Sequence, residues 1–292
     1  MHSRVAIVHD RNYGRGLKTA LGLLDDLPAL FSGKPAVIKP NETWASEGDL
    51  TACTQPEVLR ALIRCLRRLK AGTITVSGGS GAAQTEEVFE LLGFAEVIRQ
   101  EQVEFFDHNR PLFQEVSLAY GPQELVMVNP RVLEYNPVVS LAQLKVHHQV
   151  GVTLTMKNVA MSFPAADYYG HPRAHRLRPH LFFKDLHSFI AGMCQRFPFQ
   201  LAIIVGNPAM IGKGPIGGKT FEAQLTIAGT DFVAVDAVGA KLLGYERVRH
   251  IEEAASLGLG TADLDHIEVV GLSLAEAVRV FREQASRAST GP

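Results

Sequence analysis

Two hydrophobic periods alternate along this chain. Uninterrupted apolar runs at residues 5–8 and 36–38 are short and β-branched, which predicts buried strands. Between them Leu17, Leu21, Leu24 and Leu27 recur at helical spacing. Thr54-Gln55-Pro56-Glu57 reads as a capping box with an early proline, opening a helix. In that helix Val58, Leu62, Cys65, Leu66 and Leu69 share one face, and Arg60, Arg64, Arg67 and Arg68 look outward. Another strand is predicted over 73–77. Strand, helix and strand in this order argue for a parallel sheet flanked by helices.

The pattern breaks over about 97–180, which is richer in Pro, Asn and His, with strand-like pieces at 113–118, 125–128 and 138–144. Regularity returns with a predicted helix over 182–196, a strand over 199–205, a glycine-rich loop and a strand over 222–228. A helix over 232–243 and a strand over 267–270 follow. Ser273-Leu274-Ala275-Glu276 is a capping box opening a last helix that reaches about 285. With neither an internal repeat nor a linker, the economical reading is one α/β unit over 1–292. It has a largely parallel sheet flanked by helices and an irregular insert at about 97–180.

Composition narrows the partners. The 292 residues carry 29 basic and 30 acidic side chains, so no bulk field draws the protein to nucleic acid or to an anionic membrane. Its three cysteines, Cys53, Cys65 and Cys194, form neither a disulfide framework nor a CxxC pair, as expected of buried thiols in a reducing compartment. The first apolar run is too short for a signal-peptide core, and no stretch approaches the ~20 apolar residues of a membrane helix. A soluble, cytoplasmic protein is expected.

Three segments carry candidate chemistry. In the stretch 144–158, an apolar strand gives way to Lys145, His147, His148, Thr153, Thr155, Lys157 and Asn158. Polar groups gather in this way at the carboxyl ends of parallel strands, where ligands bind. Alternation would put Thr153, Thr155 and Lys157 on one face of a strand, whereas a helix would scatter them, and the pattern leaves both open. Lysine binds phosphate or carboxylate and serves as a base when desolvated, and neutral imidazole ligates metals. On an extended backbone His147 and His148 face opposite ways; His147, sharing a face with Lys145, is the choice for acid/base work or metal binding. His171 and His175 lie four apart, a chelating spacing on a helix, although Gly170 and Pro172 oppose a helix there.

The second segment, 205–219, places Gly212, Gly214 and Gly217 with Lys213 and Lys219 after a strand, a plausible anion or cofactor cradle whose spacing is neither GxGxxG nor Walker A. Ser77-Gly78-Gly79-Ser80-Gly81 closes a strand similarly. Lys39 and Asn41 also close one and join the cofactor-binding candidates. In the third, the helix after Asp231 is apolar nearly all round. Asp236 inside it therefore needs a partner, a lysine or histidine from another strand being the expected one, whereas Asp231 suits a helix cap.

The order of these segments is informative. Lys39-Pro40-Asn41, Thr54–Glu57, Leu144-Lys145-Val146-His147, Thr155-Met156-Lys157-Asn158, Gly214-Pro215-x-Gly217, Asp231 with Asp236, and Gly258-Leu259-Gly260 follow one another. The chain thereby resembles domain-of-unknown-function family 362 over about 35–271. The resemblance implies Lys145, His147, Lys157, Asn158 and Asp236 as site residues. Many relatives carry ferredoxin-like four-cysteine motifs. This chain has none, so no cysteine-ligated iron–sulfur cluster is expected. It also has Gly206-Asn207 where relatives often have an aspartate after the strand.

The leading expectation is an enzyme that binds a small anionic ligand, carboxylate or phosphate, at a strand-end cleft, a divalent metal being a possible cofactor. Lys145 and Lys157 would hold the anion, His147 would act as acid/base or ligand, Asn158 would orient it, and Asp236 would tune a neighbouring cation. The rival is a non-catalytic ligand-binding or accessory protein linked to redox or cofactor-assembly systems. An enclosed pocket with a perturbed acid/base group favours the first, and an open basic groove the second.

Overall fold

Helices and strands alternate through the computed structural model, which describes residues 3–81, 83–168 and 183–290. The first half contains β1 (Ser3–His9), α1 (Tyr13–Gly22), α2 (Leu27–Phe31), β2 (Ala36–Pro40), α3 (Pro56–Arg68), β3 (Ile74–Gly78), α4 (Thr85–Leu91), α5 (Phe94–Glu101) and β4 (Glu104–Asp107). An antiparallel pair, β5 (Gln114–Ser117) and β6 (Leu125–Val128), leads to β7 (Val138–His147), β8 (Gly151–Thr153) and α6 (Thr155–Ala160). The remainder contains α7 (Leu186–Arg196), β9 (Leu201–Ile211), β10 (Lys219–Phe221), β11 (Leu225–Gly229), α8 (Phe232–Leu242), α9 (Arg249–Ser256), β12 (Ile267–Gly271) and α10 (Leu274–Thr290).

The main sheet has the order β12-β1-β11-β9-β7-β2-β3-β4, with β10 added to β9 and β8 to β7. Along that path only β11 runs against its neighbours. This is the largely parallel, helix-flanked α/β sheet that the pattern predicted. Alternate strand residues feed two cores. Ala6, Leu201 and Ile203 pack with the leucines of α1 and α3 on one face, and Val5, Ile7, Ala202 and Ile204 pack with residues of α6 to α10 on the other.

After β2 the chain moves outward through β3 to β4. After β7 it moves the opposite way to β9, and its helices cover the opposite face. The carboxyl ends of β2 and β7 are adjacent, with Lys39 opposite Ser140 and Pro40 opposite Leu141. They form the switch point where open α/β sheets leave a crevice for ligands. β7, with all ten residues buried, lies inside the segment whose sequence pattern is most broken.

Several elements differ from their predicted bounds. The leucine series from Leu17 to Leu27 is split between α1 and α2. The strand expected over 199–205 runs on through Gly206-Asn207-Pro208 to Ile211, which leaves only 212–218 as loop. Thr54 does not cap α3. Gln55 holds that position without a side-chain cap bond, and Thr54 instead donates from Oγ1 to the Leu141 carbonyl (3.1 Å) and accepts from the Asn41 amide (3.0 Å), pinning the chain after β2 to β7. The second capping box forms: Ser273 and Glu276 exchange backbone-to-side-chain bonds in both directions.

Candidate functional site

Three lysines come together at the switch point. Lys39 ends β2, Lys145 lies near the end of β7, and Lys157 sits on α6; they are 1%, 1% and 6% exposed. Between Gly151 and Ala160 the backbone is extended to Thr153 and helical from Thr155. Both periods left open for this stretch are therefore used, and Lys157 is carried on a helix.

Buried ammonium groups need compensation. Lys39 Nζ donates to Glu42 Oε2 and to the Pro40 carbonyl, each at 2.5 Å. Glu42 Oε1 in turn accepts from the Gly79 amide at 3.0 Å. Lys145 Nζ donates to the Ala52 carbonyl at 2.5 Å. Burial dominates the electrostatics: it pulls Lys145 down to about 8. Burial, reinforced by the nearby charge of Lys145, pulls Lys157 down to about 7. For Lys39 burial lowers the pKa and the Glu42 carboxylate opposes it. Lys157 is thus poised to exchange a proton near neutral pH.

Asn158 joins the two strands. Its Nδ2 donates to the Lys39 carbonyl and to Ser140 Oγ, both at 3.1 Å, while its Oδ1 accepts from Asn41 Nδ2 at 3.2 Å. Lys39, Asn41, Glu42, Thr153, Lys157 and Asn158 line a small cavity, with Gly79 and Ser162 among its other walls. About 50 Å³ of it is open to the centres of water molecules; at roughly 10–15 Å³ per water this is room for three to five waters. Asn41 Oδ1 and Thr153 Oγ1 are buried without a hydrogen-bond partner, so the wall offers an unused acceptor and an unused hydroxyl.

Asp236 lies elsewhere. Its Oδ1 accepts from the Thr155 amide (2.9 Å) and hydroxyl (2.5 Å), and its Oδ2 from the Met156 amide (2.9 Å). The expected lysine or histidine partner is replaced by the amino end of α6, whose free N–H groups and positive dipole end suit a carboxylate. Burial pushes this carboxyl up to about 7 against those three donors. Asp236 anchors the helix that carries Lys157 and Asn158. Asp231 is the predicted cap, accepting from the Ala234 amide at 2.9 Å. Gly260 belongs to this cap, because a Cβ there would sit 2.0 Å from Asp231 Oδ1.

His147 is buried at the end of β7, its Nδ1 accepting from the Gln149 amide at 3.2 Å. The chain turns immediately after it, so His147 and His148 do not face apart but stack, centroids 5.0 Å apart. Neither borders the cavity. His171 and His175 lie outside the described residues. Among the described residues no group of three or more His, Cys, Asp or Glu side chains could hold a metal ion. The three thiols are free and buried, before α3, within it and in α7 on the opposite face of the sheet. That dispersal does not fit a cluster needing about four thiolates.

The glycine loop does not reach the cavity. Gly214 packs so closely on β7 that a Cβ would lie 2.1 Å from the Val146 carbonyl, and its own carbonyl accepts from the His148 amide at 3.0 Å. Gly212 and Gly217 have φ of +81° and +67°, so these glycines shape a brace for the end of β7. The strip at 77–81 takes the place expected of that loop, with Gly79 and Gly81 on the cavity wall. Glu42 was missed, although an acid directly after Lys39-Pro40-Asn41 is the natural counter-ion for a strand-end lysine. Asn207, at the position where the acid is missing, donates to Glu57 Oε1 at 2.7 Å.

Among solved structures, the chain is similar to the lactate racemase apoprotein from Thermoanaerobacterium thermosaccharolyticum. The TM-score is 0.53 and the identity 12%, over 82% of this chain and 56% of that one. The likeness is one of fold, and this chain spans little more than half the neighbour's length. No curated protein sequence matches it. The family model described as "Domain of unknown function (DUF362)" matches residues 36–241. That span contains β2, β7 and α6 and every lysine of the switch-point crevice, and by it the chain belongs to domain-of-unknown-function family 362.

Proposed function

We propose that the chain is an enzyme that binds a small anion, carboxylate or phosphate, in the switch-point cavity and uses the Lys157 amine as its proton-exchanging group. The observation that carries this reading is the cavity wall: amines from Lys39 and Lys157 stand beside two unused polar atoms, Asn41 Oδ1 and Thr153 Oγ1. An anionic oxygen would be met by Lys157 and the Thr153 hydroxyl. Asn41 Oδ1 would accept from a hydroxyl on the same ligand, and Asn158 would fix the two strands around it. The enclosed setting and the depressed amine support the enzyme reading over the accessory one. Lys145 and Asp236 are positioning residues, as is His147 at the end of β7.

Binding should be linked to protons. An anion favours the charged amine and raises the Lys157 pKa, so above pH 7 binding takes up a proton. Affinity is then level well below pH 7 and falls about tenfold per pH interval of one above it, until the pKa of the bound state is passed. Calorimetric titration with sulfate, acetate and lactate at about pH 6 and pH 9 tests this; lactate is included because it is the substrate named for the structural neighbour. Lys157→Met should abolish binding, and Lys213→Met, on the exposed glycine loop, should leave it intact. Equal affinities at both pH values, or binding that survives Lys157→Met, would overturn the assignment.

A further inference from the structure

Beside the cavity a chain of four side chains leads away from it. Tyr135 Oη lies 2.8 Å from Ser77 Oγ, and Ser77 Oγ lies 2.9 Å from His108 Nδ1. His108 Nε2 lies 2.9 Å from Ser162 Oγ and 3.0 Å from the Ser162 carbonyl. Ser162 is on the cavity wall. Ser77 and His108 have no exposed surface, whereas Tyr135 is partly exposed.

The acceptors fix the direction of the bonds. A carbonyl oxygen only accepts, so Nε2 carries the ring proton, and Nδ1 accepts from the Ser77 hydroxyl. The Tyr135 hydroxyl donates to Ser77, and Ser162 Oγ donates to the Gly79 carbonyl at 3.3 Å. Burial keeps the ring neutral; the charged group facing it is Lys39, from β2. Its strand neighbour Asp107 accepts from Thr85 Oγ1 and the Asn109 amide. Only a glycine at 79 admits this ring, since a Cβ there would lie 2.0 Å from Nε2.

We propose that Tyr135, Ser77, His108 and Ser162 form a proton conduit between the partly exposed Tyr135 and the switch-point cavity. The inference rests on the reading of that cavity as a proton-exchanging anion site. On binding, a solvent acid gives a proton to the Tyr135 oxygen, whose own proton passes to Ser77 Oγ. Ser77 releases its hydroxyl proton to Nδ1, Nε2 releases its proton to Ser162 Oγ, and the Ser162 hydroxyl, turning off the Gly79 carbonyl, releases its own proton into the cavity, to the Lys157 amine. Each hydroxyl oxygen ends, as it began, with one hydrogen, and the ring has exchanged Nε2–H for Nδ1–H. Release of the anion runs the chain backwards, so the original tautomer returns without a ring flip.

The test uses sulfate, which does not titrate near neutrality, in stopped-flow mixing with a pH indicator at about pH 8 and low buffer concentration. The wild-type chain should take up a proton, at most about one per bound sulfate. Tyr135→Phe should bind sulfate with the same affinity and take up the same amount, at a rate at least about tenfold lower. Ser77→Ala, which interrupts the chain one step further in, should behave alike, and in the wild type ¹⁵N resonances should place the His108 proton on Nε2. Unchanged uptake rates in both variants, or an Nδ1–H tautomer in the free protein, would overturn the conduit and leave the anion site standing. A wild-type chain that fails to bind sulfate, or binds it without proton uptake, would overturn both.

Discussion

Replacing Lys157 with methionine should make the protein more stable while removing its anion affinity. Lys157 is 6% exposed, and its amine is held at about 7, against its ordinary 10.5. Because the folded value lies below the unfolded one, the folded state binds fewer protons between those limits. Stability therefore rises with pH through that window and is lowest and level below it. At about 1.4 kcal/mol per tenfold in protonation, keeping this lysine buried at pH 7 costs about 4 kcal/mol. Methionine matches the unbranched stem without the charge. After subtracting the polar contacts that the amine makes, a gain of about 1–3 kcal/mol remains. For a chain of 292 residues, whose unfolding entropy at Tm is about 0.6 kcal/mol/K, that corresponds to roughly 2–5 °C in Tm. Urea and thermal unfolding at pH 7 and about pH 10 provide the assay: the variant's advantage should shrink toward the higher pH, where the wild-type amine is neutral. A variant less stable than wild type at pH 7, with a difference that does not change with pH, would show that the ammonium is fully compensated in the fold and would refute the reasoning.

Two further outcomes follow from the same geometry. Asp236→Asn turns one of the acceptors facing the amino end of α6 into a donor and removes its charge, so it should cost about 2–4 kcal/mol in urea unfolding; a loss under about 0.5 kcal/mol would show that α6 does not depend on this anchor. Gly79→Ala forces a methyl to within 2.0 Å of His108 Nε2 and 2.9 Å of the Ser162 carbonyl, and should both destabilise the chain by about 2–4 kcal/mol and abolish sulfate binding; wild-type binding in this variant would separate the glycine strip from the site.

Local pattern carried much of the architecture. The apolar runs at β1 and β2, the leucine face of α3 and the Ser273–Glu276 box are short-range signals, because strand and helix periods and caps are set within a few residues. Adjacency was not local. Lys39, Lys145 and Lys157 could be named as polar residues at strand ends, but that β2 and β7 are neighbours depends on the chain reversing its direction of travel across the sheet, and pairings between distant segments leave no trace in periodicity. For the same reason Asp236 was recognised as a buried carboxylate in need of a partner. That the partner is the amino end of α6, 80 residues earlier, came from packing, as did the conversion of the glycine loop into a brace for β7. The protonation of the lysines was decided last and only in three dimensions, because desolvation depends on every atom that surrounds an amine and not on its neighbours in the chain.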